Sequence, residues 1–249
     1  MRKQIIVISA GLMAILLIML LTGTIGLKKR AETIADPQPR IPVHSKGGYS
    51  YPGRASASSR LLEGVPDVRQ STHYSCGAAA LQAVLHYWGI DAREGDLMTA
   101  LRSDPEQGTH PDSIVRGALK FGLKAELREK LTVADLEESL RRGVPPIVDI
   151  QAWTQSDLKS SDFRWDNMWE DGHYVILIGV EGDNLVFEDP SLLGTRGYIP
   201  RTEFLGRWHD YEGEPPYSPS DAGDRAYVRM AIFIEGARPV DVPPLTKID

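Results

Sequence analysis

Between Ile5 and Leu27 the chain carries an apolar run without one charged side chain. At about 1.5 Å per helical residue this is enough to cross a hydrocarbon layer ~30 Å thick, so residues 1–30 read as a transmembrane helix and any globular fold must lie after it. A cleaved signal peptide is the competing reading. Its apolar core would span roughly 7–15 residues and end in a small-x-small site, and neither feature precedes Lys28, which favours an uncleaved signal anchor. No cysteine follows Leu20-Leu21-Thr22-Gly23, so lipid modification is not indicated. Arg2 and Lys3 on one flank nearly balance Lys28, Lys29 and Arg30 on the other, and the positive-inside rule comes close to a tie. The short N-terminal tail and the large downstream portion fit a single-pass anchor with the globular domain outside the cytoplasm.

Residues 31–60 contain Pro37, Pro39, Pro42, Pro52 and the Ser56–Ser59 stretch with no apolar period, and read as an extended linker. Residues 61–236 remain for one core, followed by a Pro-rich tail at 237–249. Hydrophobic residues make up 42% of the chain and charged residues 25%, ordinary values for a folded domain. The net charge of −6 provides no basic patch, which argues against nucleic-acid partners.

Within that domain the chain has a single cysteine, Cys76, in Gln70-Ser71-Thr72-His73-Tyr74-Ser75-Cys76-Gly77-Ala78-Ala79-Ala80. Leu81, Val84, Leu85 and Trp88 recur at helical spacing and Gly89 supplies a left-handed stop, so Cys76 opens a short amphipathic helix. A lone cysteine makes no intrachain disulfide, and a thiolate at a helix N-terminus is stabilised by unpaired backbone N–H groups. The bland alternative is a small buried apolar residue. Gln70, on the loop before the helix, could direct its side-chain amide at an oxyanion formed on the thiolate's target.

A thiolate nucleophile needs a proton shuttle. Of the six histidines, His173 stands apart: Asp171-Gly172-His173-Tyr174-Val175-Ile176-Leu177-Ile178-Gly179 places it at the start of an apolar run that reads as a buried central strand. The chain turns at Gly182-Asp183-Asn184 and returns to Asp189-Pro190. A hairpin here can bring Asp189 to His173, where a carboxylate would fix the imidazole; the alternative for Asp189 is a plain turn-initiating Asp-Pro.

Gln, then Cys-Gly-Ala-Ala opening a helix, then Gly-His-Tyr-Val-Ile-Leu on a strand, then Asp-Pro: this order resembles the papain-like cysteine peptidases that cut double-glycine leaders from bacteriocin precursors, and their stand-alone relatives. The similarity runs roughly from Leu61 to Glu235 and includes Gly108–Gly122, whose Gly-Thr-His-Pro start and Phe-Gly-Leu end look like that family's second helix. The resemblance implies a papain-like α+β fold with Cys76 as nucleophile, His173 as base, Asp189 as orienting acid and Gln70 as oxyanion donor. Transporter-fused members carry an acidic residue before the cysteine where this chain has Ser75, so leader specificity does not carry over.

Helices are expected near Asp91–Ser103, Pro111–Phe121 and Val133–Arg142, the last opened by a capping box at Thr132 and Asp135. Strands are expected near Pro146–Gln151, His173–Val180, Asn184–Glu188, Gly197–Ile199 and Ala226–Ile234, which places the helices first and an antiparallel sheet second. Trp153–Glu170, with Trp153, Phe163, Trp165, Met168 and Trp169, is either a substrate-binding loop or a loop that folds its own aromatics inward. His73 and His110 read as polar loop residues, His86 as exposed or partly packed on its helix, and His209 as a neighbour of a packing tryptophan. No Cys/His or carboxylate cluster has metal-ligand spacing, so neither metal nor cofactor is expected. The function read from the sequence is a membrane-anchored cysteine peptidase acting on a peptide or protein. Two alternatives remain. One is a Cys/His cell-wall hydrolase or acyltransferase, although such enzymes usually show Asp directly before the cysteine; the other is a membrane-tethered module that binds peptides without turnover.

Overall fold

The computed structural model describes residues 60–153, 163–213, 216–218 and 223–237. The expected membrane span, the linker before Arg60 and residues 238–249 of the expected tail lie outside the described residues. Among the described residues no helix is long and apolar enough to cross a membrane. In chain order the elements are β1 (Arg60–Leu61), α1 (Cys76–Tyr87), α2 (Glu94–Leu101), α3 (Pro111–Lys120), β2 (Lys124–Arg128), α4 (Val133–Arg141), β3 (Ile147–Gln151), β4 (Gly172–Glu181), β5 (Asn184–Glu188), β6 (Gly197–Pro200), α5 (Arg201–Arg207), β7 (His209–Glu212), β8 (Arg225–Val228) and β9 (Ala231–Glu235).

The apolar run that begins at Gly172 becomes the spine of a seven-stranded antiparallel sheet in the order β2-β9-β3-β4-β5-β6, with β1 also pairing on β4. Both faces of β4 are buried. Tyr174, Ile176 and Ile178 pack with α1, α2 and α3, while Val175 and Leu177 pack with α4, α5 and Trp208. That two-sided burial is why the strand is a continuous β-branched run rather than an alternating one. It also alters the expected layering: α1–α3 cover one face, but α4 and α5 cover the other, so the sheet lies between helices.

The helix that carries the cysteine is not amphipathic in the expected sense. All of α1 except Gln82 and His86 is buried. Its Gly-Ala-Ala-Ala opening permits a close approach to the sheet: a Cβ at Gly77 would stand 2.8 Å from the Thr109 Cβ and 3.1 Å from the Tyr174 ring. Small side chains thus let the first turn of α1 settle beside the start of β4. Gly89 has φ +83°, the left-handed stop that was expected.

The capping box is present on α4. Asp135 N donates to Thr132 Oγ1 (3.3 Å) and Thr132 N donates to Asp135 Oδ2 (2.8 Å). The hairpin turn is present too, with Glu181 opposite Asn184 across Gly182-Asp183. The strand expected at Ala226–Ile234 is a correction, because it is two strands. Arg229, at φ +53°, breaks it, and Trp208 seals the break by accepting from Arg229 N at its carbonyl (3.0 Å) and donating its indole N–H to Met230 O (2.7 Å). β8 thereby leaves the main sheet and pairs with β7 in a separate ribbon.

Candidate active site

Three elements converge on one spot. Helix α1 presents Cys76 from its first residue, 8% exposed. The start of β4 presents His173, 1% exposed, and the residue after β5 is Asp189. Because β4 and β5 form a tight hairpin, the imidazole and the carboxylate meet: His173 Nε2–H donates to Asp189 Oδ1 at 2.7 Å. The Cys76 side chain interacts with the same imidazole. Nδ1, the second ring nitrogen, is buried and has no hydrogen bond within ordinary limits from any other group. Trp153, 54% exposed, leans over the ring with centroids 4.5 Å apart.

Burial by itself opposes a charged imidazole, but the hydrogen bond to Asp189 and the Cys76 side chain outweigh it, and the His173 pKa is pushed up to about 9. Burial likewise opposes the Asp189 carboxylate. The hydrogen bonds from His173 and from Ser191 N (2.8 Å) win, and its pKa is held below the usual carboxylate value. The two groups therefore form an imidazolium–carboxylate pair at neutral pH.

Gln70 reaches this pair through a residue that the sequence did not flag. Ser191 Oγ–H donates to Gln70 Oε1 (3.1 Å) and stands 3.5 Å from His173 Nε2. One Nε2–H of Gln70 goes to Thr72 O (2.7 Å), which leaves the second amide hydrogen for another acceptor. The loop bearing Gln70 is tied to the sheet, with Gln70 N donating to Pro190 O (2.9 Å) and Val68 N to Glu188 Oε1 (2.8 Å). Glu188 is fully buried and ion-paired with Arg196, whose guanidinium also donates to Val65 O (2.6 Å). Sequence reasoning missed Glu188, although a charged residue ending an apolar strand beside Asp189 was a signal.

β3 and β5 flank β4, so a second set of polar groups comes up on the edge opposite Asp189. Asp149 on β3 sits opposite Tyr174, and Asp210 on β7 lies against Gly172, where any Cβ would collide with its carboxylate. That contact explains the glycine before His173. Cys76, Gly172, Tyr174, Asp149 and Asp210 share the wall of a cleft of about 360 Å³.

The segment around the expected binding loop divides. Trp165 lies under the Arg207 guanidinium, 4.1 Å from its ring centroid, and Trp169 packs between His209 and Tyr217, whereas Trp153 remains open beside His173. Residues 154–162 are outside the described residues. His209 is buried and donates to Met168 O (2.6 Å), His110 is ion-paired with Glu212, and His73 is exposed. Among the described residues no group of three or more His, Cys, Asp or Glu could hold a metal ion.

The chain belongs to the Peptidase_C39 like family, whose model matches residues 62–215. A solved structure from Bacillus anthracis described as a C39-like peptidase is 18% identical, with a TM-score of 0.53 over 73% of this chain and 99% of that one. The peptidase domain of Streptococcus ComA, a bifunctional ABC transporter involved in a quorum-sensing pathway, is 20% identical, with a TM-score of 0.48 over 68% of this chain and 96% of that one. An uncharacterized protein of Methanothermobacter marburgensis is 28% identical over 125 residues, 50% of this chain and 71% of that protein.

Proposed function

We propose that this protein is a membrane-anchored cysteine peptidase. The observation that carries the reading is the 2.7 Å bond from His173 to Asp189, on an imidazole whose charged form the only cysteine of the chain helps to stabilise. In this reading the Cys76 thiolate attacks a peptide carbonyl carbon while His173 holds the thiol's proton. The oxyanion is met by Cys76 N–H and the second amide hydrogen of Gln70. The C–N bond breaks as His173 protonates the leaving amine, which leaves a thioester on Cys76. His173 then takes a proton from water, whose oxygen attacks the thioester and releases the carboxylic acid. Asp189 orients the imidazole throughout and stabilises its charged form. No cofactor enters any step.

The reading is tested on the full chain in detergent with a fluorogenic peptide library, wild type against Cys76→Ala. Turnover that vanishes in Cys76→Ala is expected; a library left uncut by wild type, or cut equally by both, would overturn it. Membrane attachment rests on the apolar run at Ile5–Leu27, and the domain is proposed to lie outside the cytoplasm. Protease added to intact cells, with any outer membrane permeabilised, should remove the domain and spare cytoplasmic markers. Protection until the inner membrane is lysed would reverse the orientation.

A further inference from the structure

The mechanism draws on His173, Asp189 and Gln70 on the Asp189 side of β4 and on no polar group of the Asp149 side. There, Asp149 is 2% exposed, yet its Oδ1 has no hydrogen-bond partner. Burial, and after it the neighbouring charge of Asp210, push its pKa well above the ordinary carboxylate value. Asp210 is held in place from two sides: Gln151 Nε2 donates to its Oδ1 (3.1 Å), and Gly172 gives it the space it occupies. Burial raises the pKa of both acids, and the charge of Asp210 adds to the rise at Asp149, so a second negative charge is disfavoured here when nothing is bound. A buried acceptor left without a donor costs free energy, and such a group in a cleft is a request for a donor from outside.

The cleft contains the remaining charges as well. Glu212 on β7 is already engaged, by the Tyr227 hydroxyl (2.9 Å) and His110, and Arg225 is paired with Glu129 (3.1 Å). Asp149 and Asp210 are the acids of this wall with no cationic side chain beside them, and they stand with Cys76. A volume of about 360 Å³ suits a single side chain better than a folded segment.

We infer that Asp149 and Asp210 form the floor of a specificity subsite that takes a cationic group of the substrate, an ammonium or guanidinium next to the scissile bond. This rests on the peptidase reading of Cys76. A bound cation gives Asp149 Oδ1 the donor it lacks and offsets the repulsion between the two acids, so the pair can meet the cation with a second negative charge. A neutral side chain of the same length offers neither.

The test uses full-length protein and N-acetylated peptides that differ only in lysine or norleucine at each of the four positions nearest the scissile bond. A second set with free N-termini separates a terminal ammonium from a side-chain one. At one position, or with the free terminus, the wild type should prefer the cation by about tenfold or more in kcat/KM, and Asp210→Asn should bring that ratio close to one. The same ratio is read as binding to Cys76→Ala by fluorescence anisotropy, which needs no turnover. Lysine preference in binding with no Cys76-dependent cleavage would sink the peptidase reading and leave the subsite standing. Equal handling of lysine, norleucine and free termini by the wild-type site would overturn the subsite, whether or not Asp210→Asn folds. So would a preference that survives Asp210→Asn unchanged.

Discussion

The two sides of β4 are built differently where they approach Cys76. On the Asp189 side the polar groups run in one hydrogen-bonded chain, in which His173 Nε2 bonds Asp189, Asp189 accepts from Ser191 N and Ser191 Oγ bonds Gln70, while His173 Nδ1 has no partner. On the Asp149 edge, two acids face each other and one oxygen has no partner. A satisfied network fixes groups in place, whereas an unsatisfied one stores affinity for something not yet bound. The fold puts positioning on one side of β4 and capacity for a ligand on the other.

The largest effects should come from breaking the satisfied edge. Cys76→Ala and His173→Ala should each abolish peptide turnover, and the double variant should be no slower, since nucleophile and base act as one unit. Residual turnover in His173→Ala with loss in His110→Ala or His209→Ala would move the base elsewhere. Gln70→Ala should lower kcat by about 10²–10³ with a smaller change in KM, because an oxyanion donor acts on charge that develops in the transition state. A change confined to KM would place Gln70 in ground-state binding instead.

Titration separates the two edges more gently. His173 has its folded pKa raised from 6.5 to about 9, so its contribution to stability is full below 6.5 and is lost as pH rises through about 9. Asp210 is raised from 3.8 to about 7, first by burial, so its contribution is full below 3.8 and is lost as pH rises through about 7. Asp189 is lowered, and what it contributes is lost instead as pH falls below its ordinary 3.8. Melting temperature should therefore decline as pH rises through both ranges, with Asp149, whose pKa burial also pushes well up, adding to the loss. Asp210→Asn should flatten the stage between about pH 4 and 7, and His173→Ala the stage between about 6.5 and 9. Each kcal/mol corresponds to about 2–4 °C for a domain of this size. If Asp210→Asn left the decline between about pH 4 and 7 unchanged, the assignment of that stage to Asp210 would be wrong.

The contrast between the edges also marks what could be read from sequence. Cys76 at a helix start, the Gly182 hairpin that brings His173 to Asp189, and the Thr132 capping box are local signals, written within a few residues or across one turn. Asp149 and Asp210 come from strands far apart in the chain, and nothing in either neighbourhood announces the other. β2 was missed because Lys124, Glu126 and Arg128 share its open face at the sheet edge, where charges blunt further pairing and hide the strand's apolar side. The split at Arg229 depends on Trp208, a long-range partner that local β-propensity cannot report. Ser191 lies in the turn that Leu192 N closes on Asp189 O (2.9 Å), and its bond to Gln70 appears only once the fold brings the two loops together.

Ser191 offers the finest test of how the satisfied edge works, and the smallest expected effect. Ser191→Ala keeps the backbone N–H that bonds Asp189, so the His173–Asp189 pair should be unaltered and the alkaline stage of the melting profile should not move. What it loses is the hydroxyl that holds Gln70 Oε1. A neutral hydrogen bond contributes about 0.5–1.5 kcal/mol, so kcat should fall by roughly 2- to 13-fold, with KM nearly constant. Because the loss acts through Gln70, Ser191→Ala combined with Gln70→Ala should be no slower than Gln70→Ala alone, and Ser191→Thr, which keeps the hydroxyl, should recover most of the rate. Additive losses in the double variant would mean that the hydroxyl acts on His173 across its 3.5 Å gap rather than on Gln70. In that case the kcat/KM profile of Ser191→Ala against pH should shift along the alkaline limb, a change that a misplaced Gln70 cannot produce because its amide does not titrate.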